Sequence, residues 1–109
     1  NFLELTKKTF LGENYKSEGE QDKIDYIIEC ARLAPSAVNY QPWHFMVVVS
    51  EEQKQNLGNV IIENGSTAPV YIVVCADKSI AWVRNPITKH ADIDAAIATE
   101  HICLAAAEI

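Results

Sequence analysis

The chain of 109 residues can build one modest hydrophobic core. Its 49% apolar and 22% charged residues exclude a disordered chain. A net charge of −6 without a Lys/Arg-rich tract argues against nucleic acid or an anionic membrane as the main partner, while leaving room for a small anionic ligand in a local cationic pocket.

The longest apolar run, residues 68–76, is far short of a membrane span. No basic segment leads into an apolar one as in a secretory signal, so a cytoplasmic location is expected. Cys30, Cys75 and Cys103 are widely spaced in apolar settings, which predicts small buried thiols rather than disulfides or a zinc site. Because the chain starts at Asn1 and stops inside the helix-forming "LAAAEI", residues 1–109 are expected to be a single but incomplete domain.

"NFLELTKK" predicts a short first helix with Asn1 as its N-cap and Glu4 three residues on. A loop marked by Gly12, Asn14, Ser17 and Gly19 follows. Ile24, Ile27, Ile28 and Ala31 then fall on one face of a second helix. Pro35 bars its continuation and pushes Ala34 toward extended geometry.

"HFMVVVS" is short and β-branched, which predicts a buried strand. Ser50 with Gln53 opens a short helix that Gly58 is expected to end. "VYIVVCA" predicts a second buried strand, and residues 77–90 read as irregular. The alanine-rich "DIDAAIATEHICLAAAEI" is apolar nearly all round, so it is expected to be buried on most sides, with a dimer partner covering what the chain cannot.

Several chemistries find no support. The four glycines form neither a G-x-G-x-x-G nor a P-loop. His90, Asp92 and Asp94 alternate like metal ligands but diverge at a helix start, where the two aspartates would complement the helix N-terminus; no metal is expected. Ser36 and His44 lack a G-x-S-x-G elbow.

What remains is "APSAVNYQPWHF", residues 34–45, where two prolines bracket Ser36, Asn39 and Gln41. Such a loop would offer side-chain amides and free backbone N–H groups to the edge of a planar heteroaromatic ligand. Equally, Ser36 and Asn39 would satisfy local backbone groups while Trp43 plugs the core.

"ARLAPSAVNYQPWHFMVVV" resembles the nitroreductase pattern A-R-x-A-P-S-x-x-N-x-Q-P-W-x-F followed by a valine-rich strand. "DIDAAIATEHICLAAAEI" is similar to the long central helix of that family, and "FLELTKK" to its first helix. The resemblance implies an α+β, three-layer fold with a central sheet and a long buried helix, here incomplete. It also implies a homodimer with FMN at the subunit interface. NAD(P)H would reduce the flavin, which would then reduce a nitroaromatic, quinone or similar small-molecule acceptor. Pro35, Ser36, Ala37 and Asn39 would line the flavin, and Gln41 and Trp43 would fix the loop. No catalytic side chain is implied, since the flavin carries the hydride chemistry.

The family's phosphate signature, R-[RFY]-S-x-R ahead of an aromatic, is not matched. Counted back from Tyr15, its places hold Thr9, Phe10, Leu11, Gly12 and Glu13, so neither arginine nor the serine is present. A two-residue slip would let Lys7, Lys8 and Thr9 imitate R-R-S. Two alternatives to the flavin enzyme follow. One is a flavin-free, degenerate member acting as a dimerising module. The other is a divergent member holding a different planar ligand, with Tyr40 or Trp82 stacking on it.

Overall fold

In the computed structural model, which describes residues 1–8, 21–61, 68–88 and 90–109, each element begins or ends where local chemistry directs it. Helix α1, Phe2–Lys7, is capped by Asn1, whose Oδ1 accepts from the Glu4 N–H at 2.9 Å. Helix α2, Gln21–Arg32, turns Ile24 and Ala31 inward with Ile27 and Ile28 half-buried beside them, the face expected from their spacing. It stops three residues short of Pro35, as the steric demand of proline on its predecessor requires.

Strand β1, Trp43–Val48, pairs antiparallel with β2, Tyr71–Ala76, in the register Trp43↔Ala76 through Val48↔Tyr71. Between them lies α3, Glu51–Ile61, begun by the Ser50 hydroxyl accepting from the Gln53 N–H at 3.3 Å. Gly58 does not end α3 as expected; the helix continues one turn further. One interior glycine costs only about 1 kcal/mol, too little by itself to stop a helix that is already under way.

Helix α4, His90–Glu108, occupies the middle, with α2 on one side and both strands on the other. The core forms where α4 meets β1: Trp43, 7% exposed, sits with Ala34 and Ala98, and Phe45 and Ile97 pack around them. Trp43 and Phe45 are two apart on one strand and so share a face, their ring centroids 6.3 Å from each other. Ala98 is fully buried; its small side chain lets the indole approach the helix.

Two expectations about burial are corrected, that of the strands and that of the cysteines. Neither face of the strands is fully covered: Met46 is 55% exposed, and Val47 and Val49, which point to the opposite face, are also open. Helix α4 has, as expected, a face that the chain itself does not cover, carrying Ile93, Ala96, Cys103 and Ala106. Cys103 is therefore exposed, while Cys30 and Cys75 are half-buried; all three are free thiols. The cause is shared: the described residues are too few to cover both faces of the sheet and every side of the helix.

The far end of α4 is tied to α2 by polar contacts. His101 Nδ1 lies 3.0 Å from the Cys30 carbonyl oxygen, and the Tyr26 hydroxyl donates to the Glu108 carboxylate. That bond, with Cys30 nearby, pushes the phenol from an ordinary value of 10.0 up to about 12. The neutral phenol is the bonded form, so the tie is complete below pH 10 and is lost as the pH climbs through 12. In an absorbance titration, one tyrosine is expected to ionise near pH 12, and Tyr26→Phe should remove that step.

Candidate functional site

Between α2 and β1 the chain makes one abrupt connection. Ser36 is extended, with φ −142° and ψ 161°, and Ala37–Asn39 form a single 3-10 turn. Within it Val38 and Asn39 both have φ 54°, and Gln41 has φ 52°. Three non-glycine residues in the left-handed region within four positions is unusual. For a β-branched side chain such as Val38 the conformation is strained. Backbone held in this way costs roughly 1–3 kcal/mol per residue and clusters at binding and active sites.

The loop is held from below and from the side. Pro42 is fully buried next to Trp43, and the Pro42 carbonyl accepts from the Asp77 N–H at 2.7 Å, joining the loop to the turn after β2. Trp43 thus serves the core, as the plainer of its two readings holds. Within the loop the Asn39 N–H donates to the Ser36 carbonyl, and the Tyr40 N–H to that of Ala37. The Ser36 hydroxyl accepts from the Gln41 N–H at 3.0 Å, and Gln41 Nε2 donates to Asn39 Oδ1 at 3.0 Å.

The third support comes from a residue 57 positions away: Asp94 of α4 accepts from the Ala37 N–H through Oδ1 at 3.0 Å. Asp94 is 1% exposed, and its Oδ2 is buried with no hydrogen-bond partner among the described residues.

The five residues singled out from the sequence therefore sit together. Pro35, Asn39 and Gln41 are exposed, and Ser36 and Ala37 are half-buried. The expectation of free backbone N–H groups is corrected: those of Ala37, Asn39, Tyr40 and Gln41 are all engaged within the protein. A turn this tight brings each donor within reach of an acceptor. What faces outward is side-chain chemistry, namely the remaining amide atoms of Asn39 and Gln41 and the 59% exposed Val38.

Asp94, expected to complement the helix N-terminus, is instead an internal anchor. Its spacing carried the signal: Ala91, Asp94, Ala98 and Ala105 are the buried residues of α4 and lie along one helix face.

Glycine, which adopts positive φ without a Cβ clash, should relieve the strain at Val38. Val38→Gly is expected to stabilise the protein by about 1 kcal/mol, strain relief outweighing the added chain entropy, seen as a higher urea midpoint.

A concavity of about 190 Å³ lies at the start of α4, away from the loop, where Lys78, Trp82, Pro86 and His90 line it. Trp82 meets the His90 ring edge-on at 4.8 Å. Arg84 does not line this space. Among the described residues no group of His, Cys, Asp and Glu is arranged to hold a metal ion. None of the described helices is long and apolar enough to cross a membrane. Thr9, Phe10, Leu11, Gly12, Glu13 and Tyr15 lie outside the described residues. Of the slipped register, Lys7 is paired with Glu4 at 3.3 Å and Lys8 closes α1.

Comparison with known proteins agrees with this geometry. The Nitroreductase family model matches residues 19–67, which include the whole loop. A protein of Methanothermobacter thermautotrophicus, provisionally named NADH dehydrogenase/NAD(P)H nitroreductase, is 35% identical over 96 residues, covering 82% of this chain and 46% of its own. A nitroreductase family protein of Clostridium difficile 630 superposes with a TM-score of 0.82 at 35% identity, over 99% of this chain and 63% of that one. An FMN-dependent nitroreductase of Clostridium difficile R20291 does so with a TM-score of 0.80 at 34% identity, over 97% and 60%. The chain spans about half the length of the curated relatives it matches. Its α+β architecture is that of the nitroreductase family, to which this chain belongs as part of a domain.

Proposed function

We propose that the protein is an FMN-dependent oxidoreductase that takes electrons from NAD(P)H and passes them to nitroaromatic, quinone or similar small acceptors. The observation that carries this reading is the left-handed loop itself: a strained, doubly anchored connection that the core alone does not require. The names of the relatives support the same activity.

The residues present fit the ring portion of a flavin. The Gln41–Asn39 amide pair leaves a donor, Asn39 Nδ2, beside an acceptor, Gln41 Oε1. That combination complements the alternating carbonyl and N–H groups on the pyrimidine edge of an isoalloxazine. Pro35, Ser36 and Ala37 would form the rigid wall behind it, with Ser36 keeping Gln41 in place through its hydroxyl. When bound, the flavin supplies hydride acceptance and donation, and the protein supplies position and polarity.

A second copy of the chain would cover the open face of α4, with its small residues Ala96 and Ala106, and bring the two loops to one interface. This makes the working unit a homodimer, with residues 1–109 forming one incomplete domain and the protein residing in the cytoplasm. A flavin-free module is the second reading, favoured by Thr9, Leu11 and Glu13 at the phosphate places.

The visible spectrum of the purified protein separates the two. Stoichiometric flavin absorption, released on denaturation, is the expected result. Protein that stays colourless after incubation with excess FMN would overturn the flavin reading and favour the module.

A further inference from the structure

We infer that Asp94 is the positioning residue of the site: its carboxylate, delivered by the central helix, keeps the 36–41 loop in its left-handed, ligand-ready conformation. This deepens the flavin reading and rests on it for the ligand, though not for the loop itself.

Burying a carboxylate is costly unless its oxygens find several donors, and a well-packed apolar side chain in its place is often the more stable choice. Asp94 is 1% exposed, receives the Ala37 N–H through Oδ1, and has no partner on Oδ2 among the described residues. Its neighbours on the buried face of α4 are alanines, so an apolar residue would suit the position sterically. Global stability therefore does not account for it.

Local geometry does. The Ala37 N–H is the first donor of the 3-10 turn, one of those that a helix start leaves without a partner inside the helix. Ser36, the residue in the capping position, does not cap the turn; its hydroxyl accepts from Gln41 instead. Asp94 takes over that role from across the fold. The turn it starts is the one that carries Val38 and Asn39 into the left-handed region. Without this acceptor the strained residues would be free to relax, and the Asn39–Gln41 amide pair would lose its orientation.

Two variants remove the bond from opposite ends. Asp94→Ala removes the acceptor. Ala37→Pro removes the donor, and the extended Ser36 already has the geometry that a following proline demands. Asp94→Asn keeps an acceptor. Amide hydrogen exchange at Asn39, Tyr40 and Gln41 is read in the flavin-free protein, and FMN affinity by quenching of flavin fluorescence.

Asp94→Ala and Ala37→Pro are each expected to speed exchange at these amides and to weaken FMN binding by about tenfold. The double variant should be no worse than either single one, because both remove the same bond. Asp94→Asn should stay within about threefold of the parent protein on both readouts.

Unchanged exchange in Ala37→Pro, effects that add in the double variant, or Asp94→Asn as impaired as Asp94→Ala would each overturn the assignment. If Asp94→Ala does not fold, Ala37→Pro and Asp94→Asn still decide. A parent protein that binds no FMN would sink the proposed function, while the exchange experiment would still judge Asp94.

Discussion

Trp43→Ala lowers the unfolding free energy by about 3–5 kcal/mol, the usual cost of deleting a large aromatic side chain from a core. Native domains hold roughly 5–15 kcal/mol in all, so one substitution removes a large share. The indole is the largest member of the only cluster in the described residues that joins α4, β1 and the end of the helix α2 connection, through Ala98, Phe45 and Ala34. The alanines around it cannot expand to fill the space, and the cavity persists. Chemical denaturation followed by circular dichroism measures the loss. Trp43→Phe, which keeps a ring beside Phe45, should cost clearly less. A loss under about 1 kcal/mol for Trp43→Ala would mean that the core lies elsewhere.

Tighter FMN binding, by about two decades or more, is expected for Glu13→Arg combined with Leu11→Ser. The reasoning is electrostatic. A carboxylate at position 13 would face a phosphate dianion, and the exchange replaces that repulsion with a cation suited to bidentate contact. Charge-assisted hydrogen bonds contribute roughly 1.5–3 kcal/mol each, and 1.4 kcal/mol is tenfold in affinity. Fluorescence titration with FMN measures the change. The prediction depends on Tyr15 setting the register of the phosphate motif. If affinity does not move, Lys7→Ala and Lys8→Ala become the deciding variants, because the slipped register assigns the phosphate to those lysines. Lys7 is already paired with Glu4 on the exposed surface, a weak tie that a phosphate would readily replace.

Most of the local structure was legible in the residues themselves. The Asn1 cap, the Ile24–Ala31 face, the Pro35 stop, the two β-branched strands and the Ser50 start each follow from short-range chemistry, and each is observed. The one local misreading, Gly58 as a stop, gave a weak propensity more weight than its cost warrants. The loop residues of the candidate site, Pro35, Ser36, Ala37, Asn39 and Gln41, stood out for the same reason: their composition is dense in hydrogen-bonding groups and proline.

Tertiary structure decided the rest, because the remaining questions concern partners far apart in the chain. Whether the loop amides are free depends on which acceptors the fold brings near, and here Asp94 arrives from 57 positions away. Whether a strand or an alanine-rich helix is buried depends on how many layers surround it, which leaves Met46 and Cys103 exposed despite apolar surroundings in sequence. Residue type and spacing thus determined which segments become helix, strand and loop. The long-range contacts determined which polar groups are satisfied, which are strained, and so where the chemistry can occur.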